Sequence, residues 1–174
     1  MGMDDPGEAR WLDEEQQRIW YAFAYALIRL PATLDAQMQR DAGISQFEYM
    51  VLSGLSMAPE RTLRMSVLAG YTASTLARLG NVVTRLEKRG WVHRTPDPAD
   101  GRYTLAVLTE EGMAKVVASA PAHADEVRRI VFDPLTRAQQ RQLGVIAQRI
   151  LKVADPTGPS LDARLPETAD TTEP

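Results

Sequence analysis

Cysteine is absent from the 174-residue chain, which removes disulfides, thiol-based redox sensing, thiolate zinc sites and a cysteine nucleophile together. Histidine is nearly absent. His93 and His123, the only two, fall in an expected strand and an expected helix, with no neighbouring acids patterned to hold a metal or activate a nucleophile. A surface or packed role suits both, and neither an enzyme nor a metal or other cofactor is expected. No apolar stretch approaches the roughly 20 residues that cross a bilayer. The opening MGMDDPGEAR is acidic where a secretory signal would be basic, and no suitable apolar run follows it. The expectation is a cytoplasmic protein without membrane contact.

The formal net charge is -3, from 20 Lys and Arg against 23 Asp and Glu. Spread evenly, that would argue against a nucleic-acid partner, but it is not spread evenly. Between residues 61 and 104, eight basic residues (Arg61, Arg64, Arg78, Arg85, Lys88, Arg89, Arg94, Arg102) face three acids (Glu87, Asp97, Asp100), a local charge of +5. From Asp155 onward, five acids and one base leave -4. A basic cluster alone can be merely a solvated face, so the pattern around it has to decide. The length suits one domain with a real core, or two small units sharing helices; one compact unit is the expectation.

Residues 68–109 read as a short helix, a turn, a second amphipathic helix, then two strands joined by a loop of Pro, Asp, Gly and Arg. That order is a winged helix-turn-helix, so the expected fold class is mainly α (α+β). From Leu76, apolar residues recur at Leu79, Val83 and Leu86, with Val82 filling in, a face expected to pack inward. The opposite face carries Ala77, Arg78, Asn81, Thr84, Arg85 and Lys88, a small, amide and basic set able to meet base edges and phosphates. The helix should stop at Gly90, and its fourteen residues at 1.5 Å each give about 21 Å, enough to lie in a major groove. Gly80 inside it costs up to about 1 kcal/mol relative to Ala. It marks either a close approach, to DNA or to a neighbouring helix, or a tolerated defect.

Trp91 to Thr95 and Tyr103 to Leu108 have strand character, and Pro96, Asp97, Pro98, Asp100 and Gly101 form the tip between them. Such a tip can hold Arg102 beside a minor groove. The competing role for Arg102 is a salt bridge with Asp97 or Asp100, and the two roles can coexist, because an acid can orient the guanidinium.

Around this unit lie further helices. Asp13 and Gln16 have the spacing of a helix start, and the IWYAFAYALIRL run from Ile19 is apolar on more than one face. It needs core on both sides or a subunit interface. Pro31 should kink or split that helix. Ser45 and Glu48 have capping-box spacing, flanked by Ile44 and Tyr49 at the staple positions, and that helix ends before Pro59. Thr62 to Arg64 suggests a short strand, and Ser66 can cap the helix after it. Thr109 can cap another helix, with a bend or break expected near Pro121. Thr136 and Gln139 repeat the capping box ahead of Leu143, Ile146, Ile150 and Leu151. The tail DPTGPSLDARLPETADTTEP is too poor in apolar residues to stay ordered.

With these elements in place, the chain resembles the MarR family of bacterial transcriptional regulators. The matching stretches are LRMSVLA (residues 63–69), VVTRLEKRGWV (residues 82–92) and DPADGRYTLAVLTEEG (residues 97–112). The last holds the family's wing signature: Asp100, Arg102 two residues on, and Leu108-Thr109 after five more. A looser likeness extends to ISQFEYMVLSGL and LTRAQQRQL, covering residues 12–154. The resemblance implies a homodimer on double-stranded DNA, with residues 12–44 and 110–154 as dimerisation helices and 45–109 as the winged unit. Residues 1–11 would be a flexible N-terminus and 155–174 a disordered acidic tail. It further implies a pseudo-palindromic operator, usually repression, and release by a small phenolic or lipophilic effector.

Carried over by position, Ser74, Thr75, Ala77, Arg78 and Asn81 would face the major groove, with Arg85 near phosphate and Arg102, beside Asp100, in the minor groove. Arg suits guanine and Asn suits adenine on chemical grounds as well. The turn departs from the family's usual Leu-Gly-Val, having Thr72, Ala73 and Ser74, so the recognition helix could start at Thr72 or Thr75. Trp20, Phe23, Phe47 and Met50 lie on helices the family places around an effector cleft, although aromatic and Met residues at helical spacing are often simply core. The alternative to a ligand-responsive repressor is a dimeric winged module that binds DNA or a protein partner without sensing a ligand.

Overall fold

The helix boundaries follow side-chain caps spaced three residues apart. A computed structural model describes residues 10–156; the expected flexible N-terminus up to residue 9 and the acidic tail beyond residue 156 lie outside the described residues. Where length suggests one compact unit, the chain divides in two between Thr33 and Leu34.

The first unit holds the N-terminal part of α1 (Glu14–Ala42). Asp13 and Gln16 cap each other's backbone amides at 2.8 and 3.1 Å. The only buried residues of α1 are Gln37 and Met38, both in the second unit. Ile19, Trp20, Tyr21, Tyr25, Leu27 and Ile28 therefore stand exposed. Pro31 does not split the helix as expected. It sits exposed, and what it costs is a donor to the Leu27 carbonyl, which water can replace there.

The second unit continues with α2 (Gln46–Met57), a single 3₁₀ turn (Pro59–Arg61), β1 (Thr62–Arg64), α3 (Met65–Tyr71) and α4 (Leu76–Lys88). Then follow β2 (Val92–Pro96), β3 (Thr104–Leu108), α5 (Glu110–Val127), a π-helical turn (Arg128–Phe132) and α6 (Arg137–Ala154). The sheet is antiparallel in the order β1-β3-β2, with Leu63 opposite Ala106 and Arg94 opposite the same residue. Helix-turn-helix followed by a two-stranded wing, with a third short strand at the sheet edge, is the winged-helix arrangement. Met38, Leu52, Leu55, Leu68, Leu79, Val83, Leu86 and Ala106 are fully buried in its core.

Local chemistry explains most of these bounds. At α2 the capping box is complete: Glu48 N donates to Ser45 Oγ at 3.1 Å and Ser45 N to Glu48 Oε2 at 2.9 Å. Thr136 and Gln139 close the same box at α6. The end of α4 is a Schellman motif, with Gly90 (φ +73) donating to Glu87 O at 2.9 Å and Trp91 to Leu86 O at 3.1 Å. Thr109 accepts from Gly112 N and donates to Gly90 O, tying the start of α5 to the end of α4. Gly112 has no room for a side chain, since a Cβ there would come 2.1 Å from the Trp91 carbonyl oxygen.

Three further expectations change. Ser66 caps nothing: α3 begins at Met65, with Arg64 in the cap position and no side-chain cap bond, because β1 runs directly into the helix. Helix α5 passes through Pro121 without a break, and the irregular backbone comes later, in the π-helical turn. Leu76, expected on the inward face of α4, is 56% exposed, because the first turn of α4 overhangs the core that covers Leu79 and Val83.

Candidate nucleic-acid interface

The turn into α4 is built from hydroxyl groups. Helix α3 ends in a second Schellman motif: Ala73 N donates to Gly70 O at 3.1 Å and Ser74 N to Ala69 O at 2.9 Å. The left-handed position of that motif, normally glycine, is held by Ala73 at φ +47. Thr72 is buried; its hydroxyl donates to Leu68 O at 2.9 Å and lies 3.0 Å from Ser74 Oγ. Thr-Ala-Ser thus closes the turn by hydrogen bonds where Leu-Gly-Val would use glycine and apolar packing. Thr75, not Thr72, caps the helix, accepting from Arg78 N at 3.2 Å.

Helix α4 buries Leu79, Val82, Val83 and Leu86 and leaves Thr75, Ala77, Arg78, Asn81, Arg85 and Lys88 exposed, with Ser74 half-buried at the turn. Thr84 is withdrawn from that face: it donates to Gly80 O and accepts from the Arg94 guanidinium. Arg94 also binds the Glu87 carboxylate, so the far end of α4 is fastened to β2. The space beside Gly80 is open, with nothing within 4 Å of a built Cβ, so no described helix makes a close approach there.

Two of the basic side chains rest on α2. The Arg78 guanidinium lies 4.4 Å above the ring of Phe47. Arg85 Nε donates to Glu48 Oε1 at 3.2 Å, while the Arg85 side chain stays 54% exposed. Burial pushes the Glu48 carboxyl up, but the Ser45 amide, the Arg85 guanidinium and the charge of Arg89 outweigh it and hold the group below its ordinary range. Glu48 therefore serves two elements, as the α2 cap and as the anchor of Arg85.

At the wing, Arg102 grips both oxygens of Asp100, with Nε at 2.9 and 3.1 Å and Nη2 at 2.6 Å. The Asp100 carboxyl is held low, first by that guanidinium and then by the Arg102 amide. Of the two acids expected as partners, Asp100 is the one used, and Arg102 remains 84% exposed. Asp97 is buried and takes Arg64 instead, at 2.7 Å, while the Arg64 guanidinium also lies 4.5 Å above the Tyr103 ring. This cluster was missed in the sequence, because Arg64 and Asp97 are 33 positions apart and no periodicity relates them.

The four aromatic and Met residues considered for an effector divide between the units. Trp20 and Phe23 belong to the first, 51% and 36% exposed. Phe47 and Met50 belong to the second, both half-buried on α2, with Phe47 packed on the core beneath Arg78. Among the described residues no group of His, Asp and Glu could hold a metal ion, and no helix is long and apolar enough to cross a membrane.

The model of the MarR family matches residues 42–102. The chain is similar to Sco3205, a MarR family transcriptional regulator from Streptomyces coelicolor crystallised in complex with DNA. That likeness has 42% identity and a TM-score of 0.83, covering 92% of this chain and 98% of that one. It is also similar to AbsC, a MarR family regulator from the same organism, at 30% identity and a TM-score of 0.79, covering 84% of this chain and 98% of the other. The HTH-type transcriptional regulator YdcH of Bacillus subtilis is 32% identical over 78 residues, 45% of this chain and about half (49%) of YdcH. With a winged helix, a basic exposed helix face and these relatives, the chain belongs to the MarR family of transcriptional regulators.

Proposed function

We propose that the protein works in the cytoplasm as a homodimeric, sequence-specific repressor. It binds a pseudo-palindromic operator and is released by a small lipophilic or phenolic effector. The observation that carries the DNA-binding part is the exposed face of α4, with Ala77, Arg78, Asn81 and Arg85 beyond the Ser74-Thr75 turn, in the same unit as an Arg102 that Asp100 holds out at the wing. In this reading α4 enters the major groove, Arg78 and Asn81 meet purine edges, Arg85 sits by phosphate and Arg102 enters the minor groove.

The dimer reading is supported by apolar surface that a soluble chain does not keep bare. In the first unit, Ile19, Trp20, Tyr21, Tyr25, Leu27 and Ile28 are exposed; in the second, α6 buries no residue and exposes Leu143, Val145, Ile146, Ile150 and Leu151. Residues 12–44 and 110–154 are accordingly assigned to dimerisation and 45–109 to the reader. An effector site at Trp20 and Phe23 in the first unit, or at Phe47 and Met50 in the second, rests on family resemblance. One observation favours the second reading, DNA binding without an effector: Phe47 is already occupied by Arg78 and the core.

Selection of bound fragments from genomic DNA, followed by titration at several fixed salt concentrations, tests the reading. A dimer by light scattering at micromolar protein and preference for one inverted repeat are expected. A monomer, or binding that follows salt alone without sequence preference, would sink it. Release by compounds linked to the neighbouring genes then separates the two readings.

A further inference from the structure

Leu76 is apolar, stands 56% exposed, and occupies the first turn of α4 directly after the Thr75 cap. Its spacing to Leu79 and Val83 is that of the buried stripe, yet those two are fully buried and Leu76 is not. Single exposed leucines are common on protein surfaces. This one stands at the end of the helix whose N-terminal residues meet base edges in a helix-turn-helix, inside a segment of local charge +5. Ala77 beside it is exposed too, and one turn on, Gly80 adds no side chain and faces open space. The apolar corner of the helix is therefore unobstructed. In the major groove only one base offers an apolar group, the C5-methyl of thymine.

We infer that Leu76 reads a thymine methyl group at the major-groove edge of each half-site. The inference rests on the DNA-binding reading above and adds a base that Arg78 and Asn81, suited to purines, would not read. Leu76 gains by excluding water from the methyl, and cytosine or uracil at that place offers no such group.

The test is a deoxyuridine scan. Each thymine of the selected operator is replaced in turn by deoxyuridine, which keeps pairing and loses only the methyl. The full-length wild-type chain should lose about fourfold in affinity at one thymine per half-site, the weight of one buried methyl group. Leu76→Ala should bind the thymine operator about that much more weakly and be indifferent to deoxyuridine there, whereas Leu76→Met should keep the discrimination. A Leu76→Ala protein with wild-type affinity, or one that still loses fourfold at the same thymine, overturns the inference while leaving DNA binding standing. A wild-type chain that prefers no fragment overturns both.

Discussion

Arg64 Nε and Asp97 Oδ2, 33 positions apart in the chain, meet at 2.7 Å and pin the root of the wing to the start of α3. Asp97 is buried and also accepts from the Ala99 amide at 2.9 Å, while the Arg64 guanidinium lies over Tyr103. The wing tip is thus positioned by a side-chain cluster at its root.

Asp97→Asn should loosen that root. The Asp97 carboxyl is held below its ordinary range, first by the Ala99 amide and then by Arg64 against the opposing effect of burial. A depressed folded-state pKa means the charge stabilises fully above the unfolded value of about 3.9 and ceases to do so as pH falls through the lower folded value. Thermal melting should therefore show the variant below wild type at pH 7, with the gap closing as pH falls below about 4. A gap independent of pH would assign the effect to shape and not to charge.

Arg102→Ala and Arg78→Ala should each weaken operator binding by about tenfold or more without changing the oligomeric state. If Arg102 meets phosphate more than base edges, its removal should lower the salt slope by about one and weaken all sequences alike. Unchanged affinity in a salt-controlled titration removes that residue from the interface.

Ala73→Gly should stabilise the fold. Ala73 holds φ +47 at the left-handed position of the α3 Schellman motif, which costs an L-residue about 1–2 kcal/mol, while glycine's greater unfolded-state freedom returns part of that. A net gain of about 0.5–1 kcal/mol in denaturant unfolding is expected. A loss would mean that the Thr72–Ser74 hydroxyl pair depends on the alanine.

Gly80 and Gly112 should respond oppositely to alanine. A Cβ at Gly80 meets open space, so Gly80→Ala should gain up to about 1 kcal/mol of helix stability. At Gly112 the same atom would fall 2.1 Å from the Trp91 carbonyl oxygen, and a loss of about 1–3 kcal/mol or more is expected. Denaturation midpoints of the two variants measured side by side check the contrast. Lower operator affinity in a stabilised Gly80→Ala protein would point to a close approach of DNA.

Legibility in the sequence tracked the range of the chemistry. The caps at Asp13, Ser45, Thr109 and Thr136 and the stop at Gly90 could be read because each is a bond between a residue and a backbone group three or four positions away. The strands β2 and β3 could be read from their strand character on either side of a Pro, Asp and Gly tip, and the wing signature from fixed spacing. No break occurs at Pro31 or Pro121, because an exposed helix surrenders one hydrogen bond to water without breaking. Leu76 misled because periodicity says which side of a helix is apolar, not how far the core beneath it extends.

The sequence by itself determined the order of elements, the capped ends, the wing and the family resemblance, since all of these rest on short-range bonds or on spacing along the chain. Only the tertiary structure decided that Arg102 takes Asp100 while Asp97 takes Arg64, that Arg78 rests on Phe47 and Arg85 on Glu48, and that Leu76 stands bare. Those outcomes depend on which elements the core draws together, and the pairs Arg64–Asp97, Arg78–Phe47 and Arg85–Glu48, 31 to 37 positions apart, carry no periodic mark by which each residue would find the other.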